Sequence, residues 1–271
     1  MNTLEMMKIA LDLAGLDAMP GDTAVLVPGD GVRRVLMGVD MDTPELLLAK
    51  QLGFDCVVSH HPRNTSLDLV GVLDHHVELL TAQGVPLAHA REIVEAKKAA
   101  RHYAWHSANT RRSESAARLL NMPYLCIHSP ADVISERRVQ SFLDERFSNR
   151  PDATLGEVVD AMGEIEEYAK SVRRPLIRVG NRDSRAGRIC VSMTGLSNLG
   201  AEGLRAYFDA GVGTVIHMHM QEKEVKTAAE WNAGGVIVAG HMASDSIGLN
   251  EIARAWEAVG LEVTAMSGIV R

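Results

Sequence analysis

Short runs of aliphatic and β-branched residues alternate with longer stretches of helical period along the whole chain. The runs fall at residues 34–39, 54–58, 86–88, 124–128, 188–193, 214–217, 236–239 and 263–267. Each has a strand's length or less, and turn residues bound most of them, which predicts strands. Helical patterning fills 43–52, 73–83, 91–102, 113–120, 133–147, 154–170, 199–210, 222–232 and 246–259. Strands alternating with helices predict βαβ units, hence an α/β protein with largely parallel or mixed sheets flanked by helices.

Starts and stops agree with these spans. Thr43-Pro44-Glu45 places a capping residue ahead of a proline at the first helical position. Thr154 and Glu157 have capping-box spacing. Gly84 and Gly260 follow helical runs, where a C-terminal glycine belongs. The best loop signals, 149–152 and 180–187, bracket a helical middle that reads as an insertion or the start of a second lobe. The expected division is a first α/β lobe over 1–128 and a helical insertion plus second α/β lobe over 129–271, with the final segment free to pack back on the first lobe.

The chain has 271 residues, 46% of them hydrophobic, enough for one large α/β core or two smaller ones. Net charge is −7, and the arginine pairs at 111–112, 137–138 and 173–174 are isolated, so no nucleic-acid partner is expected. No stretch approaches the ~20 apolar residues of a membrane span. Leu4, Met7, Ile9 and Leu11 among Glu5, Lys8 and Asp12 read as an amphipathic helix and not as a signal peptide. Cys56, Cys126 and Cys190 are odd in number and far apart, which predicts packed thiols and a reducing, cytoplasmic setting.

Several catalytic classes lose their footing. Gly211-Val-Gly213 precedes a strand and is no dinucleotide fingerprint; Pro28-Gly-Asp-Gly31 lacks the Lys-Ser/Thr of a phosphate loop. There is no Gly-x-Ser-x-Gly elbow and no His-Glu-x-x-His.

What remains is histidine at strand ends. The run 56–59 ends in His60-His61-Pro62, and the run 236–239 leads into Gly240-His241-Met-Ala-Ser-Asp245. Imidazole and carboxylate are ligands of first-row divalent ions, and open α/β sheets place their sites at strand C-terminal ends. A His and an Asp four residues apart at a helix start share one face. A surface histidine pair capping a strand, and an ordinary Ser or Asp cap at 244–245, are the plainer alternatives. His106 lies between two helical stretches as a third candidate. His217 and His219 alternate onto one face and suit a metal-ligand pair, a supporting role behind metal ligands, proton transfer, or a buried structural pair. His75 and His76 read as structural or surface residues; His89, His102 and His128 receive no role.

Laid out in order, these motifs resemble the Nif-three-like family of dinuclear-metal proteins, often labelled GTP cyclohydrolase I type 2 homologues. That family carries a strand ending in His-His-Pro, a central His-Thr-Asn-x-Asp and a C-terminal Gly-His-x-x-x-Glu. Here stand Ser59-His60-His61-Pro62, His106-Ser-Ala-Asn-Thr110 and Gly240-His241-Met-Ala-Ser-Asp245, over residues ~30–260. Two positions depart: Asp245 replaces the Glu, and Thr110 replaces the central Asp, for which Glu114 or Asp132 is a substitute. The resemblance implies two α/β lobes with the metal site between them and a ring-like homo-oligomer, commonly a hexamer. It also implies one or two divalent ions per chain (zinc, manganese, iron or cobalt) held by His60, His61, His106, His241 and Asp245. A metal-dependent hydrolase of an unassigned small-molecule substrate is the leading expectation. A non-catalytic, metal-stabilised scaffold or regulatory protein is the alternative.

Overall fold

The computed structural model describes residues 1–196 and 198–271. The described chain forms two compact units. The first comprises residues 1–72, 103–134 and 245–271, and the second comprises 73–102 and 135–244.

The first unit is built on a five-stranded sheet of order β1-β4-β3-β2-β9. Its strands are β1 (Thr23–Val27), β2 (Arg34–Gly38), β3 (Cys56–Ser59), β4 (Tyr124–Ile127) and β9 (Glu262–Met266). All neighbours are parallel except β1 and β4. Strands β3 and β4 are buried at every residue, as expected of strands in a parallel sheet covered on both faces. Helices α1 (Thr3–Ala14), α2 (Thr43–Leu52) and α5 (Arg112–Leu120) belong to this unit. A core of Leu36, Leu46, Phe54, Val57, Met122 and Tyr124 fills it.

The second unit carries the sheet β5-β8-β7-β6, in which only the β5–β8 pair is antiparallel. Its strands are β5 (Leu176–Val179), β6 (Ile189–Val191), β7 (Thr214–His217) and β8 (Gly235–Val238). Helices α3 (His75–Ala82), α7 (Leu155–Met162), α8 (Glu166–Lys170), α9 (Gly200–Asp209) and α10 (Glu222–Trp231) belong to it. Leu80, Val94, Leu204, Tyr207, Val215 and Val236 lie in its core. The chain passes between the units inside α4 (Leu87–His106), α6 (His128–Phe147) and α11 (His241–Ala258).

Several boundaries differ from the sequence expectation, each for a physical reason. Residues 86–88 are not a strand: Pro86 leads directly into α4, which suits a proline at a helix start. The expected helix 154–170 is two helices, α7 and α8. The cap of α2 is Asp42, not Thr43, and it forms a capping box with Glu45. Strands β1 and β5 lie outside the expected runs. Both are edges paired antiparallel, and in β5 the exposed Arg178 breaks the apolar run. Most consequential, α6 begins at His128, directly where β4 ends, and α11 at His241, with two residues between it and β8, each five residues before the expected start.

Cys56, Cys126 and Cys190 are buried free thiols, and burial pushes Cys190 up to about 12. Trp256 is fully buried in the first unit, and its Nε1 donates to Met6 O at 3.1 Å. Trp256→Ala is expected to destabilise the protein by about 3–5 kcal/mol in urea unfolding, from lost burial, a cavity and an orphaned carbonyl. A loss below about 1 kcal/mol would show that α11 is not anchored by this side chain.

Candidate metal centre

The site grows from two adjacent parallel strands. The ladder between β2 and β3 continues past their ends: His60 N donates to Gly38 O and His61 N to Val39 O, both at 2.9 Å. Ser59 Oγ donates to His61 O at 2.7 Å. Both histidine backbones are therefore fixed before Pro62 turns the chain. Because β2 and β3 end together, Asp40 arrives beside His61, and its Oδ1 accepts from His61 Nδ1 at 2.8 Å.

The neighbouring strand β4 delivers His128, whose ring stacks on His60 at 4.5 Å between centroids and 16° between planes. His128 Nδ1 lies 2.8 Å from Asp22 Oδ2, just ahead of β1. Ser129 Oγ also donates to that oxygen, and Thr23 Oγ1 donates to Oδ1. Burial raises the Asp22 carboxyl, but these donors, His128 foremost, outweigh it and hold it below the usual carboxylate range. An ionised Asp22 can only accept, so the His128 proton sits on Nδ1. Asp40 Oδ1 stands in the same position on His61 Nδ1. Each carboxylate thereby fixes one imidazole and leaves its Nε2 for another partner, the pattern found behind metal-binding histidines.

Two buried carboxylates complete the cluster. Asp132 stands one turn after His128 on α6, with Oδ1 3.4 Å from His60 Nε2. Asp245, on α11, has Oδ1 3.6 Å from His60 Nε2 and Oδ2 3.6 Å from His61 Nε2. Ligand atoms of His60, His61 and His128 lie within 4.8 Å of one another, and so do those of His60, Asp132 and Asp245. Two donors on one ion at about 2.0–2.1 Å stand roughly 3.0–3.4 Å apart, so spacings of 3.4 and 3.6 Å fit ligands slightly relaxed around an ion. Nitrogen and carboxylate oxygen without thiolate suit zinc, manganese, iron or cobalt. Buried carboxylates facing one another also call for a cation. The donor set fits a divalent metal.

The two outer imidazoles differ in protonation. Burial and the neighbouring His60 push His61 down to about 4, so it is neutral and ready to bind. Burial also pushes His128 down, but Asp132, Asp22 and Asp245 outweigh it and raise it to about 9. Metal must displace that proton. Binding at pH 7.5 is expected to release about one proton from His128, so affinity rises with pH until about 9. Calorimetry in buffers of different ionisation enthalpy measures this, and a release of zero would remove His128 from the ligand set. In metal-free protein the raised value contributes stability that is fully present below the unfolded value of 6.5 and is lost as pH rises through about 9.

Of the remaining sequence candidates, His241 opens α11 one turn before Asp245, and its ring meets His219 at 4.6 Å. His217 is buried at the end of β7, and its Nδ1 lies 2.8 Å from Ser192 O. Burial, reinforced by His76 and His219, pushes His217 down to about 4. His75 pairs with Glu136, which also accepts from Met193 N and Thr194 N and so pins the loop after β6. The structure does not bring His106 to the cluster: it is exposed at the end of α4, and Thr110 is exposed beyond it. Glu114 is spent on Ser66 N and Oγ, whereas Asp132 lies in the cluster. His128 has no role in the sequence reading, yet its signal is present there as a repeat: His128-Ser-Pro-Ala-Asp132 and His241-Met-Ala-Ser-Asp245 both follow an apolar strand.

A mixed α/β protein with a buried histidine–aspartate cluster at strand ends is thus the class defined by fold and site. The chain superposes on a crystal structure of a NIF3 superfamily protein from Sphaerobacter thermophilus with TM-score 0.95 and 38% identity, covering 99% of this chain and 98% of that one. The chain belongs to the NIF3 superfamily. More distant likenesses show the fold alone. Reduced HcgD from Methanocaldococcus jannaschii matches at 13% identity and TM-score 0.62, over 98% of this chain and 97% of that one. A protein from Thermus thermophilus, TTHA1606, matches at 14% identity and TM-score 0.55, over 98% of each chain. No protein-family model matches the sequence, and no curated protein matches it. Among the described residues, no helix is long and apolar enough to cross a membrane.

Proposed function

We propose that the protein is a metal-dependent hydrolase acting on a small molecule through a metal-activated water. The observation that carries this reading is the presentation of Asp245: one oxygen faces His60 and the other faces His61, each at 3.6 Å. A carboxylate offered to two acceptors at once suits a centre of two ions, a common arrangement in hydrolytic enzymes. His60, His61, His128, Asp132 and Asp245 would hold the metal, with His241 one turn before Asp245 as a further donor. Divalent ions held there supply Lewis acidity and a water whose pKa falls to roughly 7. The chain's own part is to keep the donors dry, to aim Nε2 of His61 and His128 through Asp40 and Asp22, and to leave His61 as the cluster's one partly exposed edge, its side chain 14% exposed.

One observation favours the second reading, a metal-stabilised scaffold without turnover. His60, Asp132 and Asp245 are buried, as in a closed structural site. A panel of ester, amide and phosphoester substrates, run on metal-replete protein, separates the two. Turnover that disappears with His60→Ala supports the hydrolase, whereas silence across every class favours the scaffold. We further propose that the chain self-associates into a ring, with the exposed Leu47, Leu48 and Leu52 of α2 as an apolar contact. Sedimentation at micromolar concentration is expected to give an oligomer; a monomer would count against it.

A further inference from the structure

Beside His61 the first unit opens a cleft of about 650 Å³, bordered by Asp40, Asp42, Thr43, Asn64, Arg63 and Arg112. We propose that this cleft binds the oxyanion end of a small molecule, a phosphate or a carboxylate, through Arg63 and Arg112.

The count of charges alone points the other way, because acidic groups outnumber basic ones around the cleft. Their engagements and exposure, more than their count, decide which groups an entering ligand meets. Asp42 accepts from Thr43 N at 2.7 Å and from Asn64 Nδ2 at 2.5 Å, and it forms a capping box with Glu45, whose carboxylate takes Asp42 N at 2.8 Å. Both carboxylates are thus committed to the start of α2. Asp40 is engaged through Oδ1, which faces both His61 Nδ1 and Arg63 Nε. The arginines are committed at one corner only. Arg63 meets Asp40 through Nε, and Arg112 meets Asp42 through one terminal nitrogen at 2.6 Å. Neither makes the two-point fork that a guanidinium makes with a saturating carboxylate. The remaining N–H groups, Nη1 and Nη2 of Arg63 and Nε and Nη1 of Arg112, have no protein partner among the described residues.

Exposure follows the same order. The Arg63 and Arg112 side chains are 63% and 67% exposed, against 41% for Asp40 and 22% for Asp42. A ligand entering the cleft therefore meets guanidinium edges first, each held in place by a carboxylate behind it. Planar paired donors of this kind match phosphate and carboxylate oxygens. The volume lies in the range of small-molecule sites. Because Asp40 is shared by Arg63 and His61, the anion would sit one residue from the metal-binding edge. The assignment thus deepens the hydrolase reading by naming a substrate class, and it rests on that reading only for this last step.

The test is titration calorimetry on the full chain at fixed ionic strength, with inorganic phosphate in one arm and malonate in the other. Each arm is run on chelator-stripped protein and again with metal restored. Saturable binding is expected in the stripped protein, with the tighter arm naming the group. Arg63→Gln with Arg112→Gln should weaken it by roughly tenfold or more. The corresponding double lysine variant should retain part of the affinity, and Arg182→Gln, at an exposed arginine of the second unit that does not line the cleft, should leave it unchanged. Both cleft arginines are surface residues, and a thermal melt confirms that the variants fold. No saturable heat in either arm, equal binding in the double glutamine variant, or binding only after metal is restored would each overturn the proposal. Since the decisive arm contains no metal, it stands or falls separately from the hydrolase reading.

Discussion

Asp245→Ala is expected to abolish metal binding. Asp245 is fully buried, and its two oxygens address the adjacent histidines His60 and His61, at 3.6 Å each. Its removal takes away one of the cluster's two buried carboxylates and leaves Asp132 as the other. Loss of an outer partner such as Asp22 typically weakens a metal site by roughly 10–100-fold, so Asp22→Asn should fall in that range and Asp245→Ala well beyond it. The thermal stabilisation supplied by metal should vanish as well, about 4 kcal/mol when metal stands at roughly 1,000 times its dissociation constant. Elemental analysis and paired melts with and without chelator measure both effects. An Asp245→Ala protein that keeps its full metal content, and still melts earlier in chelator, would remove Asp245 from the ligand set.

Gly248→Ala should be nearly as damaging, although residue 248 touches no proposed ligand. A Cβ at Gly248 would lie 2.0 Å from Ala131 O and 2.8 Å from Ala131 Cα. The obstacle is helix backbone, which cannot rotate away. Helix α11 must therefore withdraw from α6. Ala131 directly precedes Asp132, and Gly248 lies three residues after Asp245, so the withdrawal separates two buried carboxylates of the cluster. Overpacking typically costs about 1–3 kcal/mol, and the upper end is expected here, together with reduced metal content. Gly71→Ala, where the added Cβ meets nothing within 4 Å, is the matched control. Equal urea midpoints for the two variants would show that α6 and α11 can part without loss.

The legible part of this molecule was what repeats along the chain. Buried parallel strands such as β3 and β7 declare themselves as unbroken apolar runs, and the histidines at their ends marked the site. The edge strands were harder. In β5, Arg178 interrupts a run of only four residues, because an edge needs only one buried face. In β1, by contrast, Thr-Ala-Val-Leu-Val between Pro20-Gly21 and Pro28-Gly29 carried a readable signal. The deeper miss concerns helix starts. Expecting a loop after each strand placed His128 at a strand end with no role and left Asp132 as an unplaced substitute. Because α6 follows β4 directly and α11 follows β8 after only Ala239 and Gly240, His128 and Asp132, like His241 and Asp245, become one-turn pairs. Asp22 and Asp40 were beyond sequence reasoning. Each reaches its histidine only because parallel or antiparallel pairing brings distant strand ends together. His106 shows the reverse case, where a motif position in register with a family pattern lies on an exposed helix end.

The most direct measurement is metal content per chain by elemental mass spectrometry, on protein purified without a histidine tag or chelator and compared with His60→Ala. Two equivalents in the native protein, falling to one or none in the variant, is the predicted result. No bound metal, even after reconstitution with zinc, manganese, iron and cobalt in turn, would contradict the account and leave a NIF3 fold with a buried polar cluster of another purpose.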